Sequence, residues 1–169
     1  ALFIRLADYR EVGGLDGHFF AHMEEIDLCW RLRSRGKKLV CIPQSVVYHV
    51  GGATLKKENP RKTFLNFRNN LLMLYKNLPD KELEHVLFIR GILDRVAALV
   101  FYLKKGRANA RAVMQARREF EDIRYSFAAS RIENMMKSTD EIIPERTHFS
   151  IVMKYYLLGK KHFSQLKLF

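Results

Sequence analysis

The stretch Gly13-Gly14-Leu15-Asp16-Gly17-His18-Phe19-Phe20-Ala21-His22-Met23-Glu24-Glu25-Ile26-Asp27-Leu28-Cys29-Trp30-Arg31-Leu32 packs a glycine turn, two adjacent phenylalanines, three carboxylates and the start of a helix into twenty residues. Two glycines in succession tolerate positive φ and stop whatever precedes them. Beyond them a loop runs to residue 23. From Glu24 to about Arg35, Leu28, Cys29 and Leu32 recur one turn apart, the spacing of a helix with one inner face. Its carboxylates cluster in the first turn while Arg31, Arg33 and Arg35 lie late, and both placements suit the helix dipole. Gly36 stands where a left-handed C′ residue would end it.

On either side the pattern shortens. Residues 2–6 read as a strand and residues 8–12 as one helical turn. Leu39-Val40-Cys41-Ile42 reads as a second strand, Pro43-Gln44 as a turn, and Ser45-Val46-Val47-Tyr48-His49 as a third strand ended by Gly51-Gly52. After residue 59 the periodicity becomes helical, with helices expected at 60–77, 81–104 and 107–136 and a weaker one at 149–158. Pro79 and Gly106 separate the first three, and Pro144 interrupts the tail. The expected fold class is therefore α/β: short strands and a helix over 1–58, then a mainly helical extension over 59–169. A chain opening on Ala1 within an apolar run is expected to be a fragment.

Charge is the unusual property of the composition. Thirty Lys+Arg oppose eighteen Asp+Glu, a net +12. Residues 1–58 carry nine basic and seven acidic side chains, leaving twenty-one and eleven for the remainder, so the helical part holds a net +10. Such a surface favours anionic partners. A basic, non-catalytic module binding nucleic acid or anionic membrane is the alternative from another class. The basic residues are scattered among apolar helical faces and form no nucleic-acid motif, so no nucleic acid is expected. Residues 86–103 are the most apolar part, but their uninterrupted core, Val96–Leu103, falls far short of the ~20 residues that span a bilayer. With Lys104, Lys105, Arg107 and Arg111 next to it, this helix is either packed on its neighbours with a solvated basic end or laid on anionic lipid. Arg90 and Asp94, four apart, can pair. Cys29 and Cys41, both among apolar neighbours, read as buried reduced thiols.

Three residues could carry chemistry in the first stretch. Glu24, Glu25 and Asp27 have a purely structural explanation as stabilisers of a helix start, at ~0.3–1 kcal/mol each, and Asp27 can pair with Arg31. Yet three neighbouring carboxylates repel, and a basic or metallic partner would relieve them. His49 is either a structural histidine or a ligand for a divalent transition metal, and one histidine is not a metal site.

The order Gly-Gly-Leu-Asp, Phe-Phe, Met-Glu-Glu-Ile-Asp-Leu-Cys-Trp-Arg-Leu, Val-Cys-Ile-Pro and Val-Val-Tyr-His-Val-Gly-Gly resembles the C-terminal half of family 2 glycosyltransferases, especially the bacterial rhamnosyltransferase-like members that build surface polysaccharide. The likeness covers residues 1–75. It implies a GT-A fold, a nucleotide-sugar donor bound mainly by an N-terminal half through an Asp-x-Asp motif and a divalent metal (Mg or Mn), and an inverting transfer to a saccharide or lipid-linked acceptor. It further implies Glu25 as the base, Glu24 as its supporting neighbour, His49 as a metal ligand, and Gly13, Gly14 and Asp16 as the turn into the acceptor loop. Phe19, Phe20 and Trp30 could line a sugar-binding wall, with Trp30 more simply core. Two departures stand out: Glu25 occupies a place where Asp is usual, and Gly17-His18 replaces a more usual acidic residue. No Asp-x-Asp occurs in this chain, so the fragment alone is expected to lack donor binding and activity. The expected location is cytoplasmic, peripheral at the inner face of the cytoplasmic membrane.

Overall fold

A computed structural model describes residues 2–48, 59–139, 143, 146–147 and 149–166. Among these residues seven helices run in order: α1 (Leu6–Glu11), α2 (Glu24–Ser34), α3 (Pro60–Asn77), α4 (Asp80–Lys105), α5 (Arg107–Ile123), α6 (Ala128–Met136) and α7 (Ile151–Tyr156), with 3-10 turns at Gly17–Phe19, Arg124–Phe127 and Phe163–Gln165.

Local chemistry explains the ends. The Asn59 side chain caps α3 by accepting from Arg61 N at 2.9 Å, and Pro60 fills the first helical position, where no N–H is needed. At the C-terminal end of α2, Lys37 N donates to Leu32 O and Gly36 N to Arg33 O, both at 3.0 Å, with Gly36 at φ +75°. This is the Schellman arrangement that the glycine predicted. Gly106, at φ +86°, is the single residue between α4 and α5.

The core is helix on helix. α5 packs along both α3 and α4, α6 returns to α3, and α2 lies against α3. Leu71, Leu72, Tyr75, Leu83, Leu87, Phe120 and Phe127 form the main cluster, which Phe19 joins from the N-terminal loop and against which Met23 and Trp30 pack. A smaller cluster, Val12, Leu28 and Leu32 with Ile4 and Tyr9, joins α1 to α2. Asp94 is buried on the inner face of α4, paired with Arg90 at 2.9 Å and with Arg117 of α5 at 3.0 Å.

The structure corrects the expected α/β class: among the described residues there is no strand and no sheet. The segments 2–5 and 39–48 carry strand-like composition, but a strand exists only where a neighbour completes its backbone ladder. Among the described residues none does. Apart from Ile4, which packs on the small α1–α2 cluster, their apolar side chains face solvent, Phe3 at 91%, Val40 at 82% and Tyr48 at 97% exposure. Residue 6, expected at the end of the first strand, instead begins α1. The expected helix over 107–136 is interrupted at Arg124–Phe127, where Ser126 Oγ donates to Ile123 O at 2.7 Å and Phe127 turns into the core. Both cysteines are free thiols; Cys29 is half-buried, but Cys41 is exposed rather than buried. The expected boundary at residue 58 and His49 both fall outside the described residues.

Candidate active site

The glycine pair sets the first turn of the site. Gly13 and Gly14 have φ of +81° and +66°, and a Cβ on Gly14 would come within 2.8 Å of the Tyr9 ring. The Gly14 carbonyl accepts from Arg31 Nη2 at 2.7 Å, and the Val12 carbonyl accepts from Arg31 Nη1. Gly14 therefore holds the turn against α2.

Asp16 is engaged on several sides. It accepts from His18 N at 3.0 Å, lies 2.8 Å from His18 Nδ1 and accepts from Lys76 Nζ of α3 at 2.7 Å. Burial pushes its pKa up, but the Lys76 ammonium and the His18 N–H prevail and hold it at about 2. Asp27 is fully buried at the next level inward. Arg31 Nε at 2.9 Å, Lys76 Nζ at 3.0 Å and Asn77 Nδ2 at 2.7 Å all donate to it. Lys76 thus bridges the two aspartates and ties the loop and α2 to α3.

Between them the loop bends hard. Phe20 (φ 61°, ψ −54°) sits at the centre of a γ-turn closed by Ala21 N donating to Phe19 O at 2.7 Å. That is the rare and strained hand of this turn. His22 and Met23 follow at φ of 70° and 73°, so three non-glycine residues in four have positive φ. A side chain from α3 holds this conformation. Asn69, fully buried, directs Nδ2 at the carbonyls of Phe19, Ala21 and His22, at 2.8, 2.8 and 2.9 Å. Its own carbonyl oxygen accepts from Arg68 Nε at 3.0 Å.

The loop delivers Glu24 and Glu25 to the first turn of α2. Glu25 is exposed and Glu24 half-buried. Burial raises the Glu24 pKa, its own backbone N–H opposes that, and the neighbouring Glu25 charge raises it further. Glu24 Oε2 and His22 Nε2 are both buried without a hydrogen-bond partner. The pair therefore offers one solvated carboxylate beside one with raised proton affinity. Of the two phenylalanines, Phe19 is core and Phe20 is exposed, with the Arg61 guanidinium 5.2 Å from its ring centroid. A separate cleft of about 630 Å³, lined by Leu15, Asp16, His18, Arg35, Lys76 and Glu133 among others, opens beside the loop; neither Glu24 nor Glu25 lines it.

The chain aligns with pre-mycofactocin glycosyltransferases of two Mycobacterium tuberculosis strains, at 31% identity over 134 residues. The chain is related to a glycosyltransferase. The alignment takes in 73% of this chain and 28% of each relative, so the chain spans less than a third of the length of these curated relatives. No family model matches the chain, and no solved structure matches it.

The motif order pointed to the glycine turn, the carboxylates and the phenylalanines, all of which lie before residue 33. It did not point to Asn69, Lys76 or Asn77. The only signal for these three was polarity on the inner face of an apolar helix, which periodicity alone counts as an imperfection.

Proposed function

We propose that this chain supplies the acceptor-facing part of an inverting, family 2-like glycosyltransferase that uses a nucleotide-sugar donor. The acceptor would be a saccharide or lipid-linked hydroxyl, in cell-surface polysaccharide synthesis. The observation that carries this reading is the pair Glu24–Glu25, set at a helix start by a strained loop that a buried asparagine clamps. Strain held in place by surrounding structure is typical of functional loops. The similarity to the mycobacterial transferases supports glycosyl transfer in general.

In the proposed step Glu25 takes the proton from the acceptor hydroxyl as that oxygen bonds to the anomeric carbon. The bond from that carbon to the diphosphate breaks, and the nucleoside diphosphate leaves with the electron pair. Glu24, whose proton affinity is raised by burial and by the neighbouring Glu25, stands beside the base as its supporting neighbour. Phe20, exposed on the γ-turn, would contact a sugar face. The resemblance implies a divalent metal, but among the described residues no group of three or more His, Cys, Asp or Glu side chains could hold one. His49 lies outside them, and no step here passes through a metal.

The test is transfer by the intact enzyme. Glu25→Gln should lower kcat at least a thousandfold while leaving donor affinity unchanged, on the order expected for loss of a general base together with its charge. Near-normal turnover would remove Glu25 as the base. Loss of turnover in Glu24→Gln alone would move that role to its neighbour.

A further inference from the structure

Helix α4 has two faces of unlike fate. One, carrying Leu83, Leu87, Gly91, Asp94 and Ala98, is buried in the molecule. The other carries Phe88, Ile92, Val96, Leu99 and Leu103, spaced three or four apart and all exposed: Phe88 at 69%, Leu99 at 60% and Leu103 at 72%. Ile89 and Val100 widen the stripe. Arg95 stands at its edge, Nη1 donating back to Gly91 O at 2.8 Å, and leaves the stripe itself unbroken from Phe88 to Leu103, a length of about 22 Å. A continuous apolar stripe of this kind on a solvent-facing surface marks a contact.

The charges beside the stripe say with what. Between Asp94 and Glu119 the chain has seven basic residues and no acidic one. Lys104, Arg107 and Arg111 are exposed around the α4–α5 turn, at the end of the stripe marked by Leu103. Acidic residues at the opposite end are already engaged, Asp80 by Arg131 and Glu82 by Arg146. That leaves Glu84 to face three cations of an antiparallel second copy, a poor match in charge. No described helix is long and apolar enough to cross a membrane. An apolar stripe too short to span, ending in clustered cations, matches the interface of an anionic bilayer, where apolar side chains enter the acyl boundary and the cations meet lipid phosphates.

We propose that the outward face of α4 and the basic α4–α5 turn dock on an anionic lipid surface, with the helix lying in the plane of the interface. Leu99 and Leu103, next to the cations that meet the lipid phosphates, contribute more than Phe88. This docking is independent of the glycosyl-transfer reading.

The experiment is flotation of the purified protein with phosphatidylcholine vesicles, with and without about one-third phosphatidylglycerol, at physiological salt. The protein should float with the anionic vesicles and stay behind with the neutral ones. Leu99→Glu with Leu103→Glu should abolish flotation. Replacing Lys104, Arg107 and Arg111 by Gln should weaken partitioning about a hundredfold, on the order of fivefold per charge. All these side chains are exposed, so circular dichroism and the melting temperature should match the parent. Leu157→Glu, just past the exposed α7, should float normally. Equal flotation of parent and Leu99→Glu/Leu103→Glu would overturn the proposal, as would no flotation at all. So would a concentration-dependent dimer, seen by light scattering, that the same pair of changes dissolves, since this would give the face to a second copy.

Discussion

Asn69 shapes the proposed active site through a single amide. It offers two N–H groups to three carbonyl oxygens and leaves none of the loop's inward-facing acceptors at 19, 21 and 22 without a donor. Asn69→Leu should cost about 2–4 kcal/mol, because buried carbonyls lose their partner while the strain remains; chemical denaturation would measure it. Phe20 is the opposite case. Its ring is exposed and adds little to the core, yet its backbone occupies a conformation that favours glycine. Phe20→Gly should therefore stabilise the fold by about 1 kcal/mol, strain relief exceeding the extra freedom of the unfolded chain. In the intact enzyme the same change should raise the KM for acceptor. A stability gain without any kinetic change would separate the strain from the proposed sugar contact. Asp16 gives a pH signature. Its folded pKa of about 2 lies below the ordinary 3.8, so its contribution is complete at neutral pH, starts to fall near pH 4 and is mostly lost as pH drops through 2. The stability difference between the parent and Asp16→Asn, up to about 2 kcal/mol at neutral pH, should shrink accordingly in urea titrations.

At the scale of elements, α2 holds two kinds of acid. Asp27, inward, has three donors; Glu24, one turn earlier, has a buried oxygen with none. Removing them should act in opposite directions. Asp27→Ala leaves Lys76 and Arg31 without their shared counter-charge and should cost about 3–5 kcal/mol. Glu24→Gln, which removes a desolvated charge, should leave stability at pH 8 unchanged or higher, even where it impairs transfer. Thermal melts of the two variants would show the contrast. The sequence was a good guide to this helix because its signals are local: carboxylates early, arginines late, glycine at the end. The same holds for α3, whose limits follow from Asn59, Pro60 and Pro79. Strand assignment failed for the same reason. Val40, Ile42, Val46 and Val47 have the composition of a buried ladder, but pairing is a property of two segments, and no local pattern in one of them reveals whether the other is present.

For the molecule as a whole, polar links across the core matter as much as apolar packing. Lys76 reaches both Asp16 and Asp27, Asn77 joins Asp27, and Asn134 of α6 donates to Asn77 Oδ1 at 3.2 Å. These groups lie about fifty residues apart in the chain, which is why sequence pattern showed the catalytic candidates but not their supports. Beyond them, the Thr139 N–H, following α6, donates to Ser34 O at the end of α2 at 2.8 Å. A chain truncated near residue 75 would keep every residue of the family-like motif, yet lose the cap on α2, Asn134 and all of α5. It should show a smaller denaturant m-value and little cooperative melting.

The clamp also sets an order of events. Asn69 lies about fifty residues after the loop it holds, so closing that contact carries the entropic cost of a long chain segment. The strained γ-turn cannot persist without it. The loop therefore settles only after α3 has formed and docked, and the glutamates reach their final positions late in folding. In pulsed hydrogen exchange, the Ala21 amide should gain protection after the amides of α3, and never before them.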